Sequence, residues 1–225
     1  MINRLNSNIF WSSHSPLSTL SGTGLIILAS SRLSFSILCA GALLWVFGLT
    51  SLVFSFSRQI IPTKGRMIIL LFLSSFICGI FILLISIFNP LLIMGTSFFL
   101  ILIPPIFIGS GFFEAVDLAT SDSSNSVISS SDPFEIVARA LLEAGVLAGI
   151  IIALSLIREP LGMGTLSFPG SFHGIFELFS NRETGSFATI RILSTSSGAL
   201  LLLGYAIALY RYFKKDKTNN SEVEE

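Results

Sequence analysis

Between Met67 and Phe113 the chain carries no charged residue, and that run decides which solvent the fold is built for. A helix crossing about 30 Å of hydrocarbon takes about 20 apolar residues. The run is therefore too long for one span and suits two, joined as a hairpin at Asn89-Pro90. Leu33–Ser57 is also free of charge, long enough to cross with tilt, and contains Trp45. With 52% hydrophobic and 12% charged residues and a mean hydropathy of +0.84, there is too little polar surface to cover a soluble globule. The sequence predicts an all-α, polytopic membrane protein. A net charge of zero and aromatics that are mostly Phe give no basis for nucleic-acid binding. Arg4 precedes a polar stretch rather than an apolar core, so the N-terminus reads as retained rather than as a cleaved signal.

Six membrane segments are expected within residues 17–213, between a polar stretch over 1–16 and a charged, disordered tail over 214–225. Leu17–Ser31 is short and interrupted at Gly22 and Gly24. The segment after Asn89 contains Gly95 and then Pro104-Pro105, whose missing donors free carbonyls that need partners in a bilayer. A Ser-rich acidic loop occupies 109–132. Asp132-Pro133-x-Glu135 then has the cap, first-turn proline and early acid of a helix start. Leu193–Phe213 completes the set, with Tyr210, Tyr212 and Lys214 near its end as interfacial anchors. Segments 17–88 and 90–213 thus each open with a broken element followed by two spans, the pattern of inverted repeats whose site lies between the broken elements. With the termini in the cytoplasm, nine of the thirteen basic residues lie inside, against Arg32, Arg158, Arg182 and Arg191 outside, so N-in, C-in is expected.

Ile157–Gly164, IREPLGMG, is where a helix is expected to leave the membrane. The adjacent charges of Arg158 and Glu159 read as an interfacial ion pair. Pro160 removes a backbone donor, and Gly162 and Gly164 permit a sharp turn into a polar connection over Leu161–Arg191. Gly145-x-x-x-Gly149 would let a second helix approach closely. Glu143, four residues after Arg139, is either half of a local pair or a step in an ion path. Cys39 and Cys78 lie in apolar runs and read first as small buried hydrophobes. His14 and His173 stand alone, without ligands at metal spacing, and no phosphate loop or nucleophile motif is present. The sequence carries no freestanding active site.

The run Ile157–Leu166 resembles the R-E-[LI]-L-G-x-G-[TS]-L stretch found in membrane subunits of the Rnf electron-transport complex and of the sodium-translocating NADH:quinone reductase. Those subunits form two homologous branches, and this stretch belongs to one of them and is lacking in its sister. Leu102–Ala115 is loosely similar to the stretch that leads into that family's acidic loop. The resemblance implies a six-helix subunit of a bacterial cytoplasmic-membrane complex that couples electron transfer to Na+ or H+ movement. Its partners would be a homologous membrane subunit of opposite topology, the other subunits of the complex, and lipid. Arg158, Glu159, Gly162 and Gly164 would carry the family motif and its subunit contacts. The family also implies an intramembrane 2Fe-2S cluster shared by the pair through one cysteine from each broken segment. Here those positions fall at Gly24 and Pro105, which cannot bind iron, so this chain alone would hold no cofactor unless Cys39 and Cys78 substituted. Two other readings stay open: a stand-alone inverted-repeat transporter, and a redox-inactive assembly subunit of the same fold.

Overall fold

The computed structural model describes residues 20–57, 65–109, 133–170, 175–180 and 191–221. The basic residues Arg58 and Lys64, the acidic loop beyond Gly109, the Asp132 cap, His14, His173, Arg182 and the last four residues lie outside them. The described chain is mostly helical. Helices α1 (Leu20–Ala29), α2 (Leu33–Ser57) and α3 (Arg66–Phe88) are followed by α4 (Pro90–Leu100) and α5 (Ile103–Gly109). Next come α6 (Pro133–Met163), the strands β1 (Thr165–Pro169) and β2 (Ile175–Ser180), and finally α7 (Arg191–Ser194) and α8 (Ser196–Ser221). Four described helical stretches are long and apolar enough to cross a membrane: Leu33–Ser57, Arg66–Phe88, Pro90–Gly109 and Val137–Met163. At ten residues α1 is too short to do so, and the apolar part of α8 is confined to Ser196–Leu209.

Helix α2 is the axis of the bundle. It packs most extensively on α6, and also on α3, α4, α5 and β1. Val46, Phe47 and Phe54 on its inner faces are fully buried. Phe47 meets Phe107 of α5 edge-on, with ring centroids 4.9 Å apart, and Phe35 meets Phe99 of α4 at 6.1 Å. Gly95 leaves room for the Phe35 ring, since a Cβ there would sit 3.4 Å from it. The opposite faces of α3 and α4 carry Phe72, Phe76, Ile87, Met94 and Phe98, all exposed, an apolar surface of the kind that a helix long enough to cross a membrane presents. Arg66 stacks over Phe54 at 4.7 Å and fixes the start of α3 against α2.

The turn at Asn89-Pro90 is as tight as expected. Asn89 alone separates α3 from α4, Pro90 opens the new helix where its missing donor is not needed, and the two helices pack together. The second break falls at Ile101-Leu102, ahead of the tandem prolines. A proline in a helix removes the bond to the carbonyl four residues back. The chain meets this by restarting, so that Pro104 and Pro105 occupy the first turn of α5. The carbonyl that Pro104 leaves open is that of Leu100, and it accepts the thiol of Cys78 at 3.3 Å. The broken element α1 packs against both α4 and α5.

Three expectations change. Helix α6 does not end at Ile157; it runs through Pro160 to Met163, and Gly164, at φ 67°, makes the turn. Part of the expected polar connection is an antiparallel hairpin, β1 with β2, irregular between Leu166 and Ser167. The final helix is broken at Thr195 rather than continuous from Leu193, and it continues to Ser221, past the start of the expected disordered tail. Gly145 and Gly149 have open space where a Cβ would be, so within the described chain the GxxxG stripe brings no helix close.

Candidate functional site

Arg158 and Glu159 are not at the wet interface that their sequence setting suggests. Arg158 is 3% exposed and Glu159 1%, among the few charged side chains buried in the described chain. Moving either charge out of water is expensive unless its hydrogen-bonding groups are met. The Arg158 guanidinium is met completely. Its Nε donates to the carbonyl of Leu193 at 2.8 Å, and Nη2 donates to those of Ser194 and Thr195 at 2.9 and 3.0 Å. Nη1 donates to the Ile27 carbonyl and to the Ser30 hydroxyl, both at 3.0 Å. The planar fork thus spans two breaks at once, the C-terminus of α1 and the α7–α8 break, where helix ends leave carbonyls able to accept; the Thr195 carbonyl there also takes a backbone amide, that of Ala199.

Glu159 serves the next helix. Its Oε2 accepts the backbone N–H of Leu33, the first residue of α2, at 2.6 Å. A carboxylate at a helix N-terminus and a guanidinium at helix C-termini both oppose the local helix dipole. Neighbouring residues on one helix therefore cap α1 and the α7–α8 break with a cation, and α2 with an anion. Ser167 of β1 closes the node from the hairpin side: its Oγ accepts the Ser34 N–H at 3.5 Å and donates to the Ser34 hydroxyl at 3.3 Å. Asn89 reaches the same hairpin, donating through Nδ2 to the carbonyl of Gly170. Ser30, Ser34, Ser36, Ser155 and Ser167 are all buried here.

Both motif glycines have steric reasons. A Cβ on Gly162 would lie 2.9 Å from the backbone N of Ser194, and Gly164 holds a left-handed conformation. Gly198, to which the sequence drew no attention, is tighter still: a Cβ there would lie 2.6 Å from Cα of Leu193 and closer to the Ile192 carbonyl oxygen. The only advance sign of this packing is the STSSG run preceding an apolar helix, which resembles any flexible helix start. The node lies at one end of the bundle, where α2 begins and α6 approaches its end, with the hairpin over it. The middle of the bundle instead holds the α4–α5 break, level with Cys78.

The other candidates lie elsewhere. Glu143 is half-buried on α6, fifteen residues before Arg158, so about 22 Å away along the helix. Gly24 has open space around its Cβ position, and Pro105 is exposed. Neither has a donor for iron, and among the described residues no His, Cys, Asp and Glu group could hold a metal ion. Cys39 of α2 and Cys78 of α3 are both buried in the core, at 1% and 3% exposure. A cluster shared with a second subunit needs its thiolates at the surface where the two meet. These thiols face inward, so the residues present do not fit the cluster. Cys39→Ala and Cys78→Ala are expected to leave the iron content of the purified protein unchanged. Both thiols should resist maleimide until the chain is unfolded, and labelling of either at the native rate would contradict this placement.

Compared with protein-family models and with curated proteins, the chain matches none.

Proposed function

We propose that this chain is a membrane subunit of an ion-translocating electron-transport complex of the Rnf and sodium-translocating quinone reductase type, contributing to the ion path rather than to the electron path. The observation that carries this reading is that Arg158 and Glu159, adjacent and each bonded to helix ends rather than to each other, are both buried where three helix ends meet. Ionisable groups enclosed at broken helices are a recurrent means of handling ions in membranes. The IREPLGMGTL run that carries the resemblance is the same run that builds the node, and α1 meets α4 and α5 as broken elements of paired repeats would. Six segments as two inverted repeats, with both termini in the cytoplasm of a bacterial cell, complete the proposal. Arg158 drops out of the charge count because it is buried, which strengthens the cytoplasmic bias of the remaining basic residues. The lack of donor atoms in Gly24 and Pro105 favours a redox-inactive member over one that carries a cluster.

Mild-detergent purification from native membranes tests this. A homologous membrane subunit should accompany the chain, together with flavin- and iron-sulfur-bearing subunits. Recovery as a monomer that alone transports ions in liposomes would replace this reading with that of a stand-alone transporter. A partner complex with no electron-transfer activity would leave an assembly role.

A further inference from the structure

The node leaves one polar face unanswered. Glu159 Oε1 is buried and accepts no hydrogen bond, although a carboxylate has about four acceptor sites and Oε2 uses one. One helical turn deeper, the Ser155 hydroxyl is fully buried and also has no partner. Residues four apart share a helix face, so Ser155 and Glu159 both stand on the buried side of α6. Leu33, whose amide binds Oε2, is followed by Ser34, whose hydroxyl contacts that of Ser167; both hydroxyl oxygens retain acceptor capacity. The neighbouring cation cannot answer Oε1, because Arg158 is fully engaged with four carbonyls and the Ser30 hydroxyl.

We propose that Glu159 Oε1 and the hydroxyls of Ser155, Ser34 and Ser167 form a binding site for a monovalent alkali cation beneath the hairpin. Carboxylate and hydroxyl oxygens are hard donors suited to alkali and alkaline-earth ions. A single carboxylate, already partly balanced by the N-terminus of α2, matches one positive charge rather than two. Such a site gives the ion-handling role proposed above a location. It rests on that role for its purpose, though every ligand belongs to this chain.

The test follows thermal unfolding of the full-length chain in detergent at constant ionic strength, exchanging choline chloride for the sodium, lithium or potassium salt. The midpoint should rise saturably with one alkali ion over choline. Ser155→Ala, which removes a hydroxyl that bonds nothing else, should raise the half-saturating concentration about tenfold, equivalent to about 1.4 kcal/mol. Glu159→Gln, which retains an acceptor for the Leu33 amide, should abolish the response. A midpoint that is the same in choline and in all three alkali salts, or a Ser155→Ala chain with the wild-type response, overturns the site; the serine variant decides if the glutamine variant does not fold. A cation response in a chain that purifies without redox subunits would keep the site and remove the electron-transport reading. Co-purification with those subunits but no cation response would do the reverse.

Discussion

Replacing Arg158 with Met is expected to destabilise the chain by about 3–5 kcal/mol, the range for breaking one side of a buried, fully bonded ionic arrangement. Methionine fills much of the volume, so packing changes little. The loss is electrostatic: carbonyls of Leu193 and Ser194 lose the guanidinium donor and those of Ile27 and Thr195 lose one of two donors, around a side chain that is itself buried. Glu159 would also be left as a buried anion without the adjacent cation. Arg158→Lys keeps the charge but not the fork. An ammonium has three donors radiating from one point and cannot span both α1 and the α7–α8 break, so lysine should recover at most about half the loss. Unfolding midpoints in detergent, with the yield of folded protein from membranes, measure this series. A lysine variant as stable as wild type would mean that charge alone holds the node.

Gly198→Ala is expected to be the second most damaging change, at about 2–3 kcal/mol, as overpacking against an immovable neighbour. The added methyl would press on the backbone at Ile192 and Leu193 rather than on a side chain that can rotate away. Gly162→Ala should cost less, because its closest clash is with the Ser194 backbone at 2.9 Å. Gly149→Ala is the control: with open space around it, alanine should be neutral or slightly stabilising through helix propensity. The order Gly198, Gly162, Gly149 in falling cost of stability checks the tightness of the α7–α8 break, through Gly198 where α8 folds back on α7 and through Gly162 where α6 meets it. Equal effects at Gly198 and Gly149 would contradict it.

The membrane character of the chain and most helix positions are readable from hydrophobic runs, because length and absence of charge are local properties. So is the turn at Asn89-Pro90, since proline acts on its own backbone and its immediate neighbours. The site is readable as a motif but not as an environment. Arg158-Glu159 beside Pro160 resembles a helix leaving lipid, and nothing in the sequence states that helix ends from residues 27–33 and 192–195 converge on it. The acceptors that bury Arg158 are backbone carbonyls, which every residue has, so no side-chain pattern announces them. The strands β1 and β2 escape for a related reason: TLSFP and IFELFS are too short to establish a period, and Gly170 reads simply as part of a polar loop.

Arg158 and Glu159 together fasten three separate helix ends, and hydrogen–deuterium exchange of the full chain in detergent measures this directly when wild type is compared with Arg158→Met and Glu159→Ala. The arginine variant should exchange faster in amides at 28–31 and 195–199. The glutamate variant should exchange faster at 33–36, while α3 from Met67 to Phe88 remains as protected as in wild type. Unchanged protection at all three helix ends in both variants would show that the node binds nothing together.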